Sequence, residues 1–257
     1  MYQVDAFTDH VFGGNPAAVC VLDKWLSDIL MQNIAAENNL AETAFAVPVG
    51  DRFEIRWFTP AVEVDLCGHA TLATAHVLFN HMRYQNEEIV FYSDRSGELR
   101  VKKDKELLTL NFPVDVFSKV ELTNQHLNCF DLKPLEAYRG KTDHMFVFKN
   151  EKEIQNIQVD LNAINKLDGR GVIITAKGDT SDFVSRFFAP QSGINEDPVT
   201  GSAHTTLTPY WSEKLNKKEM TAIQLSARKG YLKCKDLGKR IEISGKAITY
   251  LIGEIEI

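Results

Sequence analysis

Two stretches of this chain place side chains able to move protons beside small residues at the predicted start of a helix. In the first stretch, "VDLCGHATLATA" (64–75), Cys67, Gly68 and His69 precede a run of small and apolar residues. The second stretch, "EDPVTGSAHTTL" (196–207), follows two acids with a similar turn. A helix N-terminus carries unpaired N–H groups and the positive end of the helix dipole, so it stabilises a carboxylate or an oxyanion. The pattern predicts acid/base chemistry on a small anionic molecule.

Each residue at these helix starts has a chemical and a structural interpretation. His69 is able to move protons near physiological pH, or it is a buried histidine bonded to backbone. Gly68 and Gly201 let a ligand approach the amides, or they serve only the turn. Ser202 caps the second helix, or it also touches a ligand. The matched placement of the two glycines favours a binding site.

Glu42 is the candidate proton carrier, because it lies between a predicted helix and a strand whose residues are apolar or small. Desolvation raises the pKa of a carboxyl group, so both of its forms become accessible near neutral pH. The alternative is a glutamate that faces solvent. Asp197 either holds the histidine or the glutamate or caps its own turn. Cys67 is either a thiol base or a small filler residue.

Composition excludes several classes of function. The chain has 257 residues, 44% of them hydrophobic and 25% charged, with a net charge of −6. No basic patch predicts nucleic acid or an anionic membrane as a partner. No apolar run reaches the roughly 20 residues of a membrane span, and no signal segment opens the chain, so we expect a cytoplasmic protein.

Cofactor and metal motifs are absent from the sequence. The four cysteines show no CxxC spacing, so no metal site is expected. The turn at 13–16 lacks the other glycines of a dinucleotide fingerprint, and there is no P-loop or G-x-S-x-G elbow. We therefore expect cofactor-free chemistry.

The first part of the chain alternates predicted strands and helices. Strands flank the turn at 13–16, a hairpin follows a first helix, and a helix that is apolar on every side predicts an enclosed element. The predicted elements are helices 24–38 and 69–80, hairpin strands 43–49 and 52–58, and strands 88–93, 97–103 and 107–113. Residues 114–128 show no pattern and predict a crossover.

The second part repeats this order. It has strands at 141–150, 171–178 and 182–190, helices at 161–167 and 202–211, and a strand-rich end that returns to the first half. Segments 58–72 and 188–207 share F-x-P, an acidic stretch and a glycine before a helix. Two similar halves predict a cleft in which both helix starts face one cavity.

At these residues the chain closely resembles the PhzF-like isomerase family of phenazine biosynthesis, within the diaminopimelate epimerase-like fold. The motifs that carry the resemblance are "VDAFTDHVFGGNPAAV", "NLAETAF", "RWFTPAVEVDLCGHATLATA" and "SRFFAPQSGINEDPVTGSAHTTLTPYW". The resemblance implies an α/β (α+β) fold of two pseudo-symmetric halves, each a curved, mostly antiparallel sheet or barrel around a central helix. It places the halves at 1–113, with 246–257 returning to it, and at 114–245. It also implies a homodimer without a cofactor.

The resemblance assigns roles to individual residues. It makes Glu42 the proton shuttle of an allylic isomerisation and His69 a catalytic partner, while Asp197 and Ser202 assist protonation and substrate orientation. It also implies substrate-binding positions, which are Asn15, Cys67, Gly68, Thr200 and Gly201.

One departure from the wider fold bears on the type of reaction. The epimerases use a cysteine in each half, and here Cys67 fills the first position whereas Thr200 fills the second. An isomerase with one carboxylate base is favoured over a two-thiol epimerase. A racemase or epimerase using Glu42 or Cys67, and a non-catalytic small-molecule binder, are the alternatives.

Overall fold

The computed structural model describes residues 1–257 and divides into two compact units. Unit 1 comprises Met1–Asn111 and Ile243–Ile257, and unit 2 comprises Phe112–Glu242. Both mix strands with helices, as the predicted α/β class requires. None of the helices combines the length and the apolar character needed to cross a membrane.

The first part of the chain contains eight strands and two helices. The strands are β1 (Tyr2–Ala6), β2 (Asn15–Val21), β3 (Glu42–Val49), β4 (Arg52–Phe58), β5 (Glu63–Val64), β6 (Glu88–Ser93), β7 (Gly97–Asp104) and β8 (Leu107–Pro113). The helices are α1 (Asp28–Asn38) and α2 (Gly68–Asn80).

The rest of the chain contains nine strands, four helices and a short 3-10 turn at Pro190–Ser192. The strands are β9 (Ser118–Val120), β10 (Glu136–Arg139), β11 (Asp143–Val147), β12 (Gly171–Lys177), β13 (Phe183–Phe188), β14 (Glu219–Gln224), β15 (Gly230–Asp236), β16 (Arg240–Gly245) and β17 (Ala247–Ile252). The helices are α3 (Asn124–Leu127), α4 (Glu151–Asn156), α5 (Leu161–Ile164) and α6 (His204–Leu215).

The two units have the same topology, which confirms the predicted pair of similar halves. In unit 1, β2 is antiparallel to β1 and parallel to β3, β3 is antiparallel to β4, and β4 is parallel to β6. In unit 2, β11, β12, β13 and β14 repeat this order, with β10 in the place of β1. Each parallel pair is joined through helices, as a crossover requires. Strand β17 at the end of the chain pairs with β1 in antiparallel orientation.

Helix α2 is buried on all sides, as its lack of a polar face predicts. It contacts β1, β2, β3 and β17, and its central residues from His69 to Ala75 are all buried. The hydroxyl groups of Thr71 and Thr74 donate to the carbonyl oxygens of Cys67 and Ala70 at 2.6 and 2.7 Å. These bonds remove the cost of burying two hydroxyl groups among apolar neighbours.

Helix α6 contains Pro209, which lacks the N–H that would bond to the carbonyl oxygen of Thr205. The backbone N–H of Asp115 donates to that oxygen instead, at 3.3 Å. The Asp115 side chain also accepts from the hydroxyl group of Thr206 at 2.9 Å. The segment after β8 therefore satisfies the backbone group that the proline leaves open.

The observed elements differ from the predicted ones mainly at their ends. Helix α1 begins at Asp28 rather than at residue 24, because the Ser27 side chain accepts from the N–H of Leu30 and ends the preceding extended segment. Strand β2 begins inside the predicted turn, at Asn15. The sequence analysis did not predict β10 or α4, and the supposed crossover at 114–128 contains β9 and α3.

We predict that Gly14→Ala strongly destabilises unit 1. Gly14 has a φ of 58°, and a Cβ atom there would collide with the carbonyl oxygen of Ala6. We expect urea unfolding to show a loss of about 3 kcal/mol or more in the free energy of unfolding. Gly50→Ala is the matched control, because Gly50 has a φ of 64° and open space around it, so only about 1–2 kcal/mol is expected. Equal losses would show that backbone conformation alone matters.

Candidate active site

Glu42 lies at the first position of β3, beside the parallel strand β2. The register pairs it with Ala17, two residues after Asn15. The Glu42 side chain is 13% exposed, and the next residues, from Thr43 to Val47, are buried. The carboxyl group is therefore largely removed from solvent rather than directed into it.

His69 is the second residue of α2, and a polar group lies near each nitrogen of its ring. Nε2 lies 3.2 Å from Oε2 of Glu42, and Nδ1 lies 3.2 Å from the side-chain amide nitrogen of Asn15. The Glu42 contact has the distance of a hydrogen bond without its alignment. A neutral imidazole offers one hydrogen-bond donor and one acceptor, so this ring presents one or the other to Glu42, depending on its tautomer.

Burial keeps the His69 ring neutral. It lowers the pKa of His69 to about 3, and a hydrogen bond with the Pro16 backbone acts in the opposite direction. Burial disfavours the charged imidazolium because the interior solvates charge poorly. At neutral pH the contact with Glu42 therefore joins a carboxyl group to an uncharged base rather than to an imidazolium cation.

Cys67 lies on the other side of the same ring, with Sγ 3.4 Å from Nδ1 of His69. Ligand atoms of Glu42, Cys67 and His69 all lie within 4.8 Å of one another, which is the spacing of a metal centre. Glu42 approaches Nε2, whereas Cys67 approaches Nδ1. One imidazole thus has a carboxyl group beside one nitrogen and a thiol beside the other.

Helix α2 begins at Gly68, and no side chain caps its N-terminus. The Cys67 carbonyl oxygen accepts from the backbone N–H of Thr71 at 3.1 Å, which closes the first helical turn. The N-terminal amides and the helix dipole therefore act next to the Glu42–His69 pair.

In unit 2, Asp197 and Thr200 form a second buried polar group before α6. Asp197 is 9% exposed and Thr200 is 7% exposed. The Thr200 hydroxyl group donates to the Asp197 carboxylate in a short hydrogen bond. Buried Gln224 accepts from the backbone N–H of Thr200 at 2.9 Å. Thr200, which the resemblance places at the position of an epimerase cysteine, is therefore bonded to the neighbouring acid.

Gly201 and Ser202 lie in the turn that leads into α6. The N–H groups of His204 and Thr205 donate to the carbonyl oxygens of Gly201 and Ser202 at 3.1 and 3.0 Å, so the chain already turns as a tight helix there. The N-cap is Ala203, without a side-chain bond, so the suggested capping role of Ser202 is wrong. Its side chain is half-buried.

An arginine–glutamate pair closes the loop before each site, and the sequence analysis missed both pairs. In unit 1, Nε and Nη2 of Arg56 donate to Glu63 at 2.7 and 2.9 Å. In unit 2, the same atoms of Arg186 donate to Glu196 at 2.7 and 3.0 Å. Such bidentate pairs fix geometry as well as charge. The sequence signal was the arginine two residues before the phenylalanine of each F-x-P motif.

The structure gathers the predicted residues into one cluster in each unit. Unit 1 holds Asn15, Glu42, Cys67, Gly68 and His69. Unit 2 holds Asp197, Thr200, Gly201 and Ser202. Gln224 belongs with the second cluster and was not predicted.

Two units of one topology, each with acid/base residues before or within the start of a helix, define an epimerase-like isomerase fold. A probable proline racemase from Agrobacterium radiobacter shares this fold, with a TM-score of 0.62 at 9% identity over 100% of this chain and 92% of that one. The chain belongs to the phenazine biosynthesis-like family, whose PhzC-PhzF model matches residues 4–253.

Similar proteins agree with this membership. An uncharacterized isomerase from Pseudomonas aeruginosa is 50% identical over 100% of this chain and 98% of its own length. A PhzF family protein from Enterococcus faecalis has a TM-score of 0.97 at 49% identity, covering 100% of this chain and 98% of that one. The protein is therefore an enzyme of the isomerase class.

We predict that His69 makes the free energy of unfolding decrease as the pH is lowered. With a pKa lowered to about 3, the folded ring stays neutral while the unfolded chain takes up a proton below its ordinary pKa of about 6.5. The resulting stability is present above pH 6.5 and is lost as the pH falls toward 3. When the pH is lowered from 7.5 to 5.0, the free energy of unfolding of the wild type, measured with urea, should decrease by up to about 2 kcal/mol more than that of His69→Gln. Equal losses would contradict a buried neutral ring.

We predict that Glu196→Ala destabilises unit 2 by about 2 kcal/mol, because it leaves the guanidinium of Arg186 without its bidentate partner. The control is Glu219→Ala, which breaks an exposed pair with Lys235 and should cost about 0.5 kcal/mol or less. Urea unfolding measures both. A loss at Glu196 no larger than that of the control would contradict the role of the pair in fixing the loop.

Proposed function

We propose that the enzyme moves a proton between two carbon atoms of a small carboxylate-bearing substrate, with Glu42 as the group that carries it. The observation that supports this proposal is the contact between a largely desolvated carboxyl group and a neutral imidazole, 3.2 Å apart. A carboxyl group within hydrogen-bond distance of a neutral imidazole is placed to exchange a proton with a bound molecule. The PhzF-like resemblance supports the same role.

The reaction is a proton shift with no net oxidation. The Glu42 carboxylate takes a proton from a carbon next to a double bond, and the electron pair of that C–H bond moves to form a new double bond. The π electron pair of the former double bond moves to its far carbon, and this carbon receives the proton from the Glu42 carboxyl group. The neutral His69 ring lies beside the carboxyl group and stabilises it through a hydrogen bond as its charge changes.

The other residues are assigned on the resemblance and on their chemistry. We assign Asp197 to protonation and Ser202 to substrate orientation. The amides at Gly68 and Gly201 would hold the polar groups of the substrate, because N–H groups at a helix start stabilise negative charge. Asn15 orients the His69 ring. The resemblance also supports a cytoplasmic homodimer that acts on an anionic metabolite without a cofactor.

An epimerase using two thiols is the alternative reaction. Cys67 occupies the position that such an enzyme needs in the first half, 3.4 Å from His69. In the second half, however, the position belongs to Thr200, whose hydroxyl group donates to Asp197. A hydroxyl group so committed is a poor substitute for a thiol base, so the isomerase is favoured.

We predict that Glu42→Gln abolishes proton transfer, because glutamine neither accepts nor returns a proton. The probes are cyclohex-2-ene-1-carboxylate and cyclohexa-2,5-diene-1-carboxylate, incubated with the enzyme in D₂O and followed by NMR. We expect the wild type to move the double bond, and to introduce deuterium at the far carbon in those turnovers in which the Glu42 carboxyl group exchanges its proton with solvent before returning it. We expect Glu42→Gln to reduce the rate of the double-bond shift by about 1,000-fold or more, near the upper range of acid/base contributions. Glu37→Gln is the matched control, because Glu37 is exposed.

The distribution of deuterium separates the alternatives. Deuterium only at the original carbon, with inverted configuration, would replace the isomerase by a racemase or epimerase. Wild-type rates in Glu42→Gln would refute its role as the proton carrier. Neither a double-bond shift nor deuterium exchange with either probe, in folded wild-type protein, would overturn the proposal for unsaturated cyclic carboxylates and favour a binding protein.

A further inference from the structure

Gln224 is the last residue of β14 and is fully buried, although its side chain is polar. A buried amide is costly unless its donors and acceptor are bonded. Here all of the hydrogen bonds given for its side chain go to the short segment that carries Asp197 and Thr200. The amide therefore connects β14 to the second cluster and to nothing else described above.

The orientation of this amide is fixed by backbone groups at both ends. Its Oε1 accepts from the N–H of Thr200 at 2.9 Å, and its Nε2 donates to the carbonyl oxygen of Asp197 at 2.7 Å. A backbone N–H only donates and a carbonyl oxygen only accepts, so the reversed amide would lose both bonds.

This orientation also sets the direction of the Thr200 hydroxyl group. Nε2 of Gln224 lies 3.2 Å from Oγ1 of Thr200 and can only donate to it. The hydroxyl proton is then directed at the Asp197 carboxylate, to which it donates. A chain of donors from Gln224 through Thr200 thus ends on one carboxylate oxygen of Asp197.

The repeated fold does not require an amide at this place. Gln224 pairs in parallel register with Ser185 of β13, and the corresponding last residue of β6 in unit 1 is Ser93. Ser93 accepts a bond from the N–H of Arg95 in its own turn. The glutamine is therefore specific to the unit that carries Asp197.

We propose that Gln224 is a positioning residue, which holds Thr200 so that its hydroxyl group fixes the Asp197 carboxylate for the reaction. This inference rests on the proposed function. Gln224 acts through Thr200 and Asp197 rather than on the substrate, so its loss should lower kcat and leave KM nearly unchanged. A displacement of about 1 Å at a reacting group is able to cost about 100-fold in rate.

The test compares Gln224→Leu, Gln224→Glu and the control Gln191→Leu in the deuterium-exchange assay with cyclohexa-2,5-diene-1-carboxylate. Gln191 also uses its amide to bond backbone carbonyl groups of unit 2, those of Ile164 and Leu167, so its loss reports the structural cost alone. We expect kcat to fall about 100-fold in Gln224→Leu with KM within threefold, and to stay within threefold of wild type in Gln191→Leu. Circular dichroism and urea unfolding accompany each variant.

Gln224→Glu distinguishes positioning from folding, because it keeps the size and the acceptor but loses the donor when ionised. Its kcat relative to wild type should rise about tenfold from pH 8 to pH 5, as the buried carboxyl group regains a proton to donate. A relative kcat that is flat with pH, or a Gln224→Leu loss no greater than that of Gln191→Leu, would overturn the inference. If Gln224→Leu does not fold, Gln224→Glu decides. If the wild type is active and Glu42→Gln is inert, the proposed function stands whatever the Gln224 variants show. An inactive wild type would overturn both the proposed function and the inference about Gln224.

Discussion

The parallel pairing of β2 with β3 is the constraint on which the rest of unit 1 depends. Parallel strands begin at the same edge of a sheet, so Asn15 and Glu42 come to one place although 27 positions separate them in the chain. The helix that follows β4 and β5 brings the backbone and imidazole of His69 to the same edge. Helix α2 lacks a polar face, and the strands that bury it also hold the ring away from water.

Unit 2 uses the same topology for a different arrangement of polar groups. Where unit 1 sets an imidazole between an amide and a carboxyl group, unit 2 links an amide, a hydroxyl group and the Asp197 carboxylate. Part of this difference is that unit 1 has a cysteine, Cys67, where unit 2 has a threonine, Thr200. A thiol at position 200 would be a weaker donor to the aspartate than the hydroxyl group is. Two copies of one fold thus hold two different clusters of polar side chains.

The sequence alone could predict the elements whose pattern is local and the candidates whose residue type is unusual for their surroundings. The all-apolar helix α2 and the hairpin of β3 and β4 follow from periodicity, and Glu42 is marked by its apolar neighbours. It could not predict contacts that depend on distant pairing. The Asn15–His69 contact needs the register of β2, and Gln224 reaches Thr200 only because β14 runs beside β13. The short elements β10 and α4 have too few residues to show a period.

The arginine–glutamate pairs also have a consequence for how this chain tolerates length change. Arg56 and Glu63 are seven positions apart, whereas Arg186 and Glu196 are ten apart, yet both pairs close with the same two bonds. The entropic cost of closing a loop grows slowly with the length of the loop. Each arginine–glutamate pair therefore tolerates insertions between its two residues, while the residue after the glutamate keeps its place. The enclosed segments can therefore diverge in length and sequence without disturbing the residue after the glutamate, which is Val64 in unit 1 and Asp197 in unit 2. This leaves the segments free to acquire new surface properties.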